Sequence, residues 1–404
     1  MDRFDEGQEM GLVAVSRDGE ATAQAEDVAE ASVWSTNGKG VWVPWSHPFV
    51  PVLAMYLALR LALFFCNVLA AIITNVNSWT GPFTAWDGHW YVQVAQSWYG
   101  STALAPEHLT YAAGGFEPGW PAFIKLGTLA GLSFPDSAFV MSIILGGATF
   151  YAVWHLSREL LPEHPQMATA AVMAFPGAAV AFGMAYSEVL SIGCVAATLV
   201  FLIRKRWLLA GVVAGVATAT SSLAIVVVLA CLVEACIAIA RRREFRSIYA
   251  VAIAPAGFLS FVGYLGFLSR DPFYWWKLQG QAWGAKIEPA YLFQWATSFK
   301  GTGWGVYWMA LSGLIILVFL VVVVIRSSYP VSVKVYCVAV ALMLLINPAL
   351  GPKPRFLLWM FPAIFLLRRK LSGRTFNSVL LAMAWLLPIL LIAYTTIGNT
   401  VAQP

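Results

Sequence analysis

Apolar runs of about 20 residues recur along this sequence from about residue 48 to about residue 397. A helix of that length crosses the roughly 30 Å hydrocarbon core of a bilayer. The chain is 60% hydrophobic and 11% charged, whereas soluble proteins carry about 25% charged residues. Backbone groups in lipid must bond internally, and the sequence lacks the alternating pattern of a membrane barrel. We therefore predict an all-α polytopic membrane protein.

The positions of the apolar runs and of the basic residues predict the topology. We expect about eleven transmembrane helices, near 48–75, 134–157, 168–186, 189–203, 207–223, 224–240, 248–268, 306–325, 331–349, 356–367 and 377–397. Lys and Arg concentrate in one set of loops, for example at Arg204–Arg206, and such loops are cytoplasmic. The two long loops, about 76–133 and 269–305, then lie on the extracytoplasmic face of the cell membrane. The first of them should contain interfacial helices, and the segment at about 119–131 is expected to be a re-entrant or an interfacial helix.

The N-terminal segment differs in composition from the rest of the chain. Residues 1–46 hold nine Asp or Glu and show no apolar periodicity, which predicts a disordered, acidic tail in the cytoplasm. Residues 47–404 then form one transmembrane domain in contact with membrane lipids. The net charge of +5 is spread over short loops, where it sets membrane orientation, so it does not indicate a nucleic-acid partner.

The first long loop contains a carboxylate at the start of an amphipathic segment. Trp90, Val94 and Trp98 recur at helical spacing, which predicts a short helix on the membrane surface. Asp87 stands just before this helix. It could cap the first helical amides, or it could act as a general base that takes a proton from an acceptor hydroxyl. The spacing leaves both roles open.

Four more charged residues are expected near the same surface. Glu117 lies in a turn rich in Pro and Gly, and Glu188 opens a helix. Each has a structural alternative, as a solvated loop charge or as a favourable charge at a helix N-terminus. Lys353 and Arg355 occur in a short outer turn, against the general charge bias. They would either snorkel to lipid headgroups or hold a phosphate leaving group, for which Arg is a bidentate donor.

The long outer loops are rich in tryptophan. In the second loop, Trp283 follows Gln279 and Gln281, and an indole beside Gln side chains suits a carbohydrate. An aromatic belt at the membrane interface is the alternative for any single Trp. The sequence has no zinc-ligand spacing, phosphate loop or dinucleotide fingerprint, so we predict no metal and no cofactor. A metal site formed by two or three of the outer carboxylates is the alternative.

Taken together, these motifs resemble those of PIG-V-type mannosyltransferases, which are similar to GPI mannosyltransferase II and have bacterial relatives. The resemblance rests on Trp86–Tyr91, Phe116–Pro121, Ala185–Glu188, Asp271-Pro272, Gln281–Gly284 and Pro354–Phe356, in that order along the chain. It implies a GT-C fold with a catalytic carboxylate in the first outer loop. It also implies inverting transfer of a sugar, mannose, from a polyprenyl-phosphate donor. The acceptor would be a lipid-linked or cell-envelope glycan on the extracytoplasmic face.

The resemblance also implies a candidate site. Asp87 is expected to be the catalytic carboxylate, and Arg355 is expected to contact the phosphate. Tyr186 and Glu188 would lie near the donor or acceptor sugar. The candidate substrate-binding residues are Trp86, His89, Glu117, Tyr186, Glu188, Gln281, Trp283, Lys353 and Arg355.

The sequence departs from the pattern of these relatives at two places. They carry Phe-Phe-Pro where this chain has Phe116-Glu117-Pro118, and an Arg-Pro pair where it has Ser221-Ser222-Leu223. A GT-C enzyme that uses another sugar is therefore an alternative. A transporter or flippase of lipid-linked sugars is the alternative from a different class. Most outer polar residues lie in loops rather than at the bilayer midplane, which favours surface chemistry over transport.

Overall fold

The computed structural model describes residues 47–99, 113–285, 287–289, 304–347 and 349–396. Every regular element within these ranges is a helix, so the predicted all-α fold is confirmed. The predicted acidic tail and much of the second long loop lie outside the described residues. The chain divides into two units, Met1–Pro51 and Val52–Pro404, and apart from Val50 and Pro51 the described helices belong to the second unit.

The helices are short and numerous. In chain order they are α1 (Val50–Ile73), α2 (Thr80–Phe83), α3 (Asp87–Ser97), α4 (Gly119–Thr128), α5 (Phe134–Leu160), α6 (Pro165–Ala174), α7 (Ala178–Gly183), α8 (Glu188–Ile203), α9 (Trp207–Thr218), α10 (Val227–Arg242), α11 (Ile248–Ile253), α12 (Ala256–Ser269), α13 (Tyr274–Trp283), α14 (Trp304–Ile325), α15 (Val331–Ile346), α16 (Pro354–Leu357), α17 (Phe361–Ile364), α18 (Leu366–Lys370) and α19 (Gly373–Thr396). Turns of 3₁₀ helix occur at Ala113–Gly115, Ser222–Val226, Phe245–Ser247 and Leu358–Met360.

Several helical segments are suited to a bilayer. Among the described residues, five are long and apolar enough to cross it: Val50–Ile73, Phe134–Leu160, Ser222–Arg242, Phe245–Ser269 and Gly373–Thr396. Four shorter apolar helices accompany them: Glu188–Ile203, Trp207–Thr218, Leu311–Ile325 and Val331–Ile346. The count of eleven spans and the orientation of the chain stay predictions.

The long first helix shows how such a segment divides its surface. On one face of α1, Leu61, Phe65 and Ile72 are 58%, 60% and 67% exposed. On the other face, Tyr56 and Leu63 are buried in the protein. Apolar side chains at helical spacing on an exposed face would be unfavourable in water, and they suit contact with lipid.

Helix α8 occupies the centre of the bundle. It packs against α5 and α9, and 12 of its 16 residues are buried. At Gly193 the approach to α5 is so close that a Cβ atom would collide with Thr149. This packing fixes the first residue of α8, Glu188, which belongs to the candidate site.

Three of the predicted spans are interrupted in the structure, and one of them, 248–268, is divided into α11 and α12 at Ala254-Pro255. The segment expected as one helix at 168–186 is divided into α6 and α7 by Phe175-Pro176-Gly177. Gly177 lies so close to the Pro354 carbonyl group that a Cβ atom would collide with it. The segment predicted at 356–367 is a buried series of short helical turns. Proline removes a backbone donor and favours such breaks.

Polar residues of α1 stabilise the end of α7. Arg60 donates hydrogen bonds to the Phe182 carbonyl oxygen and, at 2.6 Å, to Ser142 Oγ. Asn67 donates to the Gly183 carbonyl oxygen at 2.8 Å. The last carbonyl groups of a helix have no partner within the helix, and lipid offers none. These bonds account for the charge of Arg60 inside an apolar segment, and they support the chain just before Tyr186 and Glu188.

Candidate active site

Asp87 begins α3, and the residue before it has an unusual backbone. Trp86 has φ 56° and ψ −128°, which residues other than glycine rarely adopt. Its indole Nε1 donates a hydrogen bond to the Tyr394 carbonyl oxygen at 2.8 Å. This bond holds the start of α3 against α19, so the strained turn that presents Asp87 is anchored by a distant helix.

The guanidinium of Arg355 lies between two carboxylates. Its Nη1 donates to Asp87 Oδ2 and its Nε donates to Glu188 Oε1, both at 2.5 Å. The Glu188 and Arg355 side chains are 2% and 9% exposed, whereas that of Asp87 is 30% exposed. Among the described residues, the carboxylate of Asp87 bonds to Arg355 and not to an amide of α3. Asp87 is therefore the carboxylate that a substrate can reach.

The buried side chain of Tyr186 contacts both Asp87 and Arg355. The Arg355 Cζ atom lies 4.2 Å from the centroid of the Tyr186 ring, a distance at which the face of the ring attracts a cation. The Tyr186 hydroxyl accepts a hydrogen bond from the backbone N–H of Asp87 at 3.4 Å. One buried tyrosine therefore contacts both members of the predicted catalytic pair.

The two carboxylates and the guanidinium open onto a cavity of about 220 Å³. Its lining combines charged, amide, hydroxyl and aromatic side chains from segments far apart in sequence. The polar and aromatic lining residues are Trp86, Asp87, Trp90, Tyr91, Phe116, Glu117, Glu188, Ser221, Ser222, Gln279, Trp283, Lys353, Arg355, Phe356 and Trp359.

Two further groups of the lining titrate near neutral pH. Burial raises the pKa of Glu117 to about 7, and hydrogen bonds from its own backbone N–H and from Ser222 oppose this increase. Burial and the neighbouring Arg355 guanidinium together lower the pKa of Lys353 to about 8, against an opposing effect of Asp87. Shifted pKa values in a cleft are typical of functional sites, although structural ion pairs also produce them.

Most of the predicted site residues meet at this cavity. Those that line it are Trp86, Asp87, Glu117, Glu188, Trp283, Lys353 and Arg355. Tyr186 lies beneath Arg355, as described above. The geometry brings these residues together, and their roles in binding and catalysis stay predictions.

His89 and Gln281 lie elsewhere. Both side chains are exposed and neither lines the cavity. Helical geometry explains this placement, because residues four apart share a face and residues two apart do not. On α13, Gln279 and Trp283 face the cavity and Gln281 faces away. The substrate contacts predicted for His89 and Gln281 have no support from the structure.

Several lining residues were not among the predicted contacts. Trp90, Phe116, Ser222 and Gln279 belong to this group. The spacing of Gln279 and Trp283 was a signal that could have identified the glutamine. Ser222 stood out as a departure from the related mannosyltransferases, but nothing in its local sequence indicates which residue it faces.

Within the described part of the chain, no group of three or more His, Cys, Asp or Glu is arranged to hold a metal ion. The predicted carboxylates of the cavity are instead bridged by Arg355 or hydrogen-bonded to Ser222. A metal-independent reaction stays a prediction.

Comparison with known proteins identifies the family. Residues 121–348, more than half of the 404 residues, match glycosyltransferase family 87. This chain belongs to glycosyltransferase family 87. The matched region of this family 87 protein includes Tyr186 and Glu188 but neither Asp87 nor Arg355. The match does not confirm the predicted PIG-V type, and specificity for mannose stays a prediction. None of the curated proteins matches this chain.

A solved structure shows the same fold. The crystal structure of ArnT from Cupriavidus metallidurans, bound to undecaprenyl phosphate, superimposes with a TM-score of 0.51 at 13% sequence identity. The alignment covers 83% of this chain and 63% of the ArnT chain, so this family 87 protein spans less than two thirds of that relative. Identity this low establishes the fold and nothing finer. The chain therefore has a GT-C type of fold, and its family is glycosyltransferase family 87.

Proposed function

We propose that this protein transfers a sugar, mannose, from a polyprenyl-phosphate donor to a hydroxyl group of a lipid-linked or cell-envelope glycan. The transfer inverts the anomeric carbon and takes place at the extracytoplasmic face of the membrane. The observation that carries this proposal is the contact between Asp87 and Arg355 in one cavity. A base for the acceptor and a cation for the leaving phosphate are the two groups that such a transfer needs.

In the proposed reaction Asp87 takes the proton from the acceptor hydroxyl. The hydroxyl oxygen forms a bond to the anomeric carbon of the donor sugar from the side opposite the phosphate. The bond between this carbon and the phosphate oxygen breaks, and its electron pair stays on the polyprenyl phosphate. Arg355 and Lys353 stabilise the negative charge that develops there. Glu188, which is 2% exposed, orients Arg355 through its hydrogen bond to Nε.

Three lines of argument support the choice of substrate. Family membership supports sugar transfer as the reaction. ArnT, which shares the fold, was crystallised with undecaprenyl phosphate, and this supports a polyprenyl-phosphate donor. The choice of mannose rests on the resemblance to PIG-V-type enzymes.

The test is transfer of labelled sugar from polyprenyl-phosphate mannose in membranes that contain the protein. Asp87→Asn keeps an acceptor for the Arg355 hydrogen bond but cannot take up the proton. We expect it to lower the rate by roughly 10²- to 10⁴-fold at an unchanged protein level.

A matched control is Asp136→Asn. Asp136 is a carboxylate in the first turn of α5, where it accepts a hydrogen bond from Ser133 outside the cavity. This variant should transfer sugar like the parent. Undiminished transfer by Asp87→Asn would remove Asp87 from the mechanism. Movement of the lipid-linked sugar across vesicle membranes by purified protein, without transfer, would favour the flippase.

A further inference from the structure

The start of α4 forms one side of the cavity. There it packs against the segment that follows α9, which is distant in sequence. The backbone N–H of Gly119 donates to the Ala219 carbonyl oxygen at 2.8 Å. A Cβ atom at Gly119 would collide with Thr220, so a larger residue would separate the segments. This packing holds Glu117, just before α4, against Ser222, just after α9. These are the two positions at which the sequence departs from the PIG-V pattern.

The carboxyl group of Glu117 is built into the wall of the cavity. The residue is 3% exposed and still lines the cavity. Ser222 donates hydrogen bonds to it from its backbone and its side chain. Glu117 Oε1 has no hydrogen-bond partner among the residues that the structure describes. A buried polar atom without a partner is unfavourable, and a ligand in the cavity would supply one.

Glu117 stands apart from the ion pairs of the site. Arg355 bonds to Asp87 and Glu188, and neither this residue nor Lys353 makes a salt bridge with Glu117 among the described residues. Its buried position favours the uncharged acid. An uncharged carboxylic acid both donates and accepts hydrogen bonds, which matches an alcohol better than an anion.

The neighbours of Glu117 are suited to a sugar ring. The rings of Trp90 and Phe116 lie 6.1 Å apart and nearly parallel, at 12°. Trp283 meets Phe116 edge-on at 5.4 Å. The amide of Gln279 donates to the Gly115 carbonyl oxygen at 2.9 Å and also lines the cavity. Aromatic faces beside a few fixed polar groups are typical of a selective small-molecule site.

We infer that Glu117, held by Ser222, binds a hydroxyl group of an uncharged sugar in the cavity and determines which sugar is accepted. The inference rests on the proposed function and extends it to the substrate. Both the donor and the acceptor can supply such a hydroxyl. A site built to bond a hydroxyl discriminates strongly against an analogue that lacks it, because its own buried group is then unpaired.

The experiment compares polyprenyl-phosphate mannose with its 2-, 3-, 4- and 6-deoxy analogues, using purified protein in nanodiscs. For the parent protein, one analogue should lose about 10- to 100-fold in kcat/KM. Glu117→Met removes the carboxyl group at similar length, and it should reduce this loss to less than about 3-fold. Glu117→Gln keeps a polar group and a similar shape, so it should retain part of the discrimination and tests the role if the Met variant fails to fold.

Two further variants complete the design. Glu163→Met removes an exposed carboxylate outside the cavity, and its discrimination should equal that of the parent. Ser222→Ala removes one donor to Glu117 and should weaken discrimination, whereas Ser222→Thr, which keeps the hydroxyl, should restore it.

Equilibrium binding of the same donors distinguishes the two sources of the hydroxyl. If Glu117 contacts the donor, Glu117→Met weakens the binding of polyprenyl-phosphate mannose and leaves the binding of the discriminated deoxy analogue unchanged. If it contacts the acceptor, donor binding is unchanged, and discrimination appears among acceptor analogues instead. Equal discrimination by the parent and by Glu117→Met toward donors and acceptors would overturn the inference and leave the proposed function intact. Absence of transfer by the parent from any polyprenyl-phosphate sugar would overturn both.

Discussion

Removing Arg355 should destabilise the protein mainly through Glu188. Without the guanidinium, the Glu188 carboxylate loses its ion-pair partner at 2% exposure, and its Oε2 atom already has no hydrogen-bond partner among the described residues. Removing one member of a buried ion pair costs about 3–5 kcal/mol. Asp87, at 30% exposure, is partly hydrated, and the loss of its pairing should add about 1 kcal/mol or less. We therefore expect Arg355→Met to lower the free energy of unfolding by about 3–5 kcal/mol.

The double variant isolates the buried charge. Arg355→Met combined with Glu188→Gln leaves no charge at either position, and the neutral amide is much less costly to bury than a carboxylate. The double variant should recover more than half of the stability that the single variant loses. It should not recover sugar transfer, because the predicted phosphate contact is still absent. The double variant would then show that the loss of stability and the loss of activity have different causes.

The assay is thermal unfolding of the purified protein in one detergent at one pH. A loss of 3–5 kcal/mol in a chain of this size should lower Tm by roughly 5 °C or more. Asp136→Asn, outside the cavity, should change Tm by less than about 2 °C. The reasoning would be refuted if Arg355→Met had the Tm of the parent, or if adding Glu188→Gln lowered Tm further.

Two pH-dependent effects follow from the other titrating groups. Lys353 is charged below its pKa of about 8, so the donor KM should rise as the pH increases through 8, and Lys353→Met should show a high KM at every pH. This is measured from initial rates between pH 6 and pH 9, and a flat KM for the parent would contradict it. Glu117 has a pKa of about 7 in the folded protein and about 4.5 when unfolded, so its contribution lowers stability as pH rises from about 4.5 to about 7. The difference corresponds to about 3 kcal/mol. Glu117→Gln should therefore raise Tm relative to the parent at pH 8 and not at pH 4, and an equal change at both pH values would contradict the assignment.

Much of the fold follows from the sequence because a bilayer restricts the possible structures. An apolar run long enough to span lipid must be helical, which predicts α1, α5 and α19 from composition and length. The C-terminal end of α7 is different. The carbonyl groups of Phe182 and Gly183 accept hydrogen bonds from Arg60 and Asn67 of α1, and that partnership exists only in the folded protein.

The candidate site could likewise be predicted only in part from the sequence. Charge bias in the loops placed Asp87, Glu188 and Arg355 on one side of the membrane, and the structure places them in contact. Local spacing could not give the pairing of Glu117 with Ser222, because it depends on how closely Gly119 approaches Thr220. Each departure from the related mannosyltransferases was visible in the sequence, but their contact was not.

The geometry of Arg355 also bears on how one residue can serve both the base and the leaving group. A guanidinium has five N–H groups, and the bonds to Asp87 and Glu188 use one on Nη1 and the one on Nε. These two bonds leave the second N–H of Nη1 and both of Nη2 unused, and an N–H from each of two guanidinium nitrogens is the donor set of a bidentate contact with phosphate. Arg355 can then hold the phosphate while it keeps Asp87 aligned. Because the guanidinium bonds to Oδ2, the Oδ1 atom of Asp87 is the oxygen that would take the proton. A lysine at position 355 has no such planar set of donors, so it could neutralise the phosphate but could not align both partners.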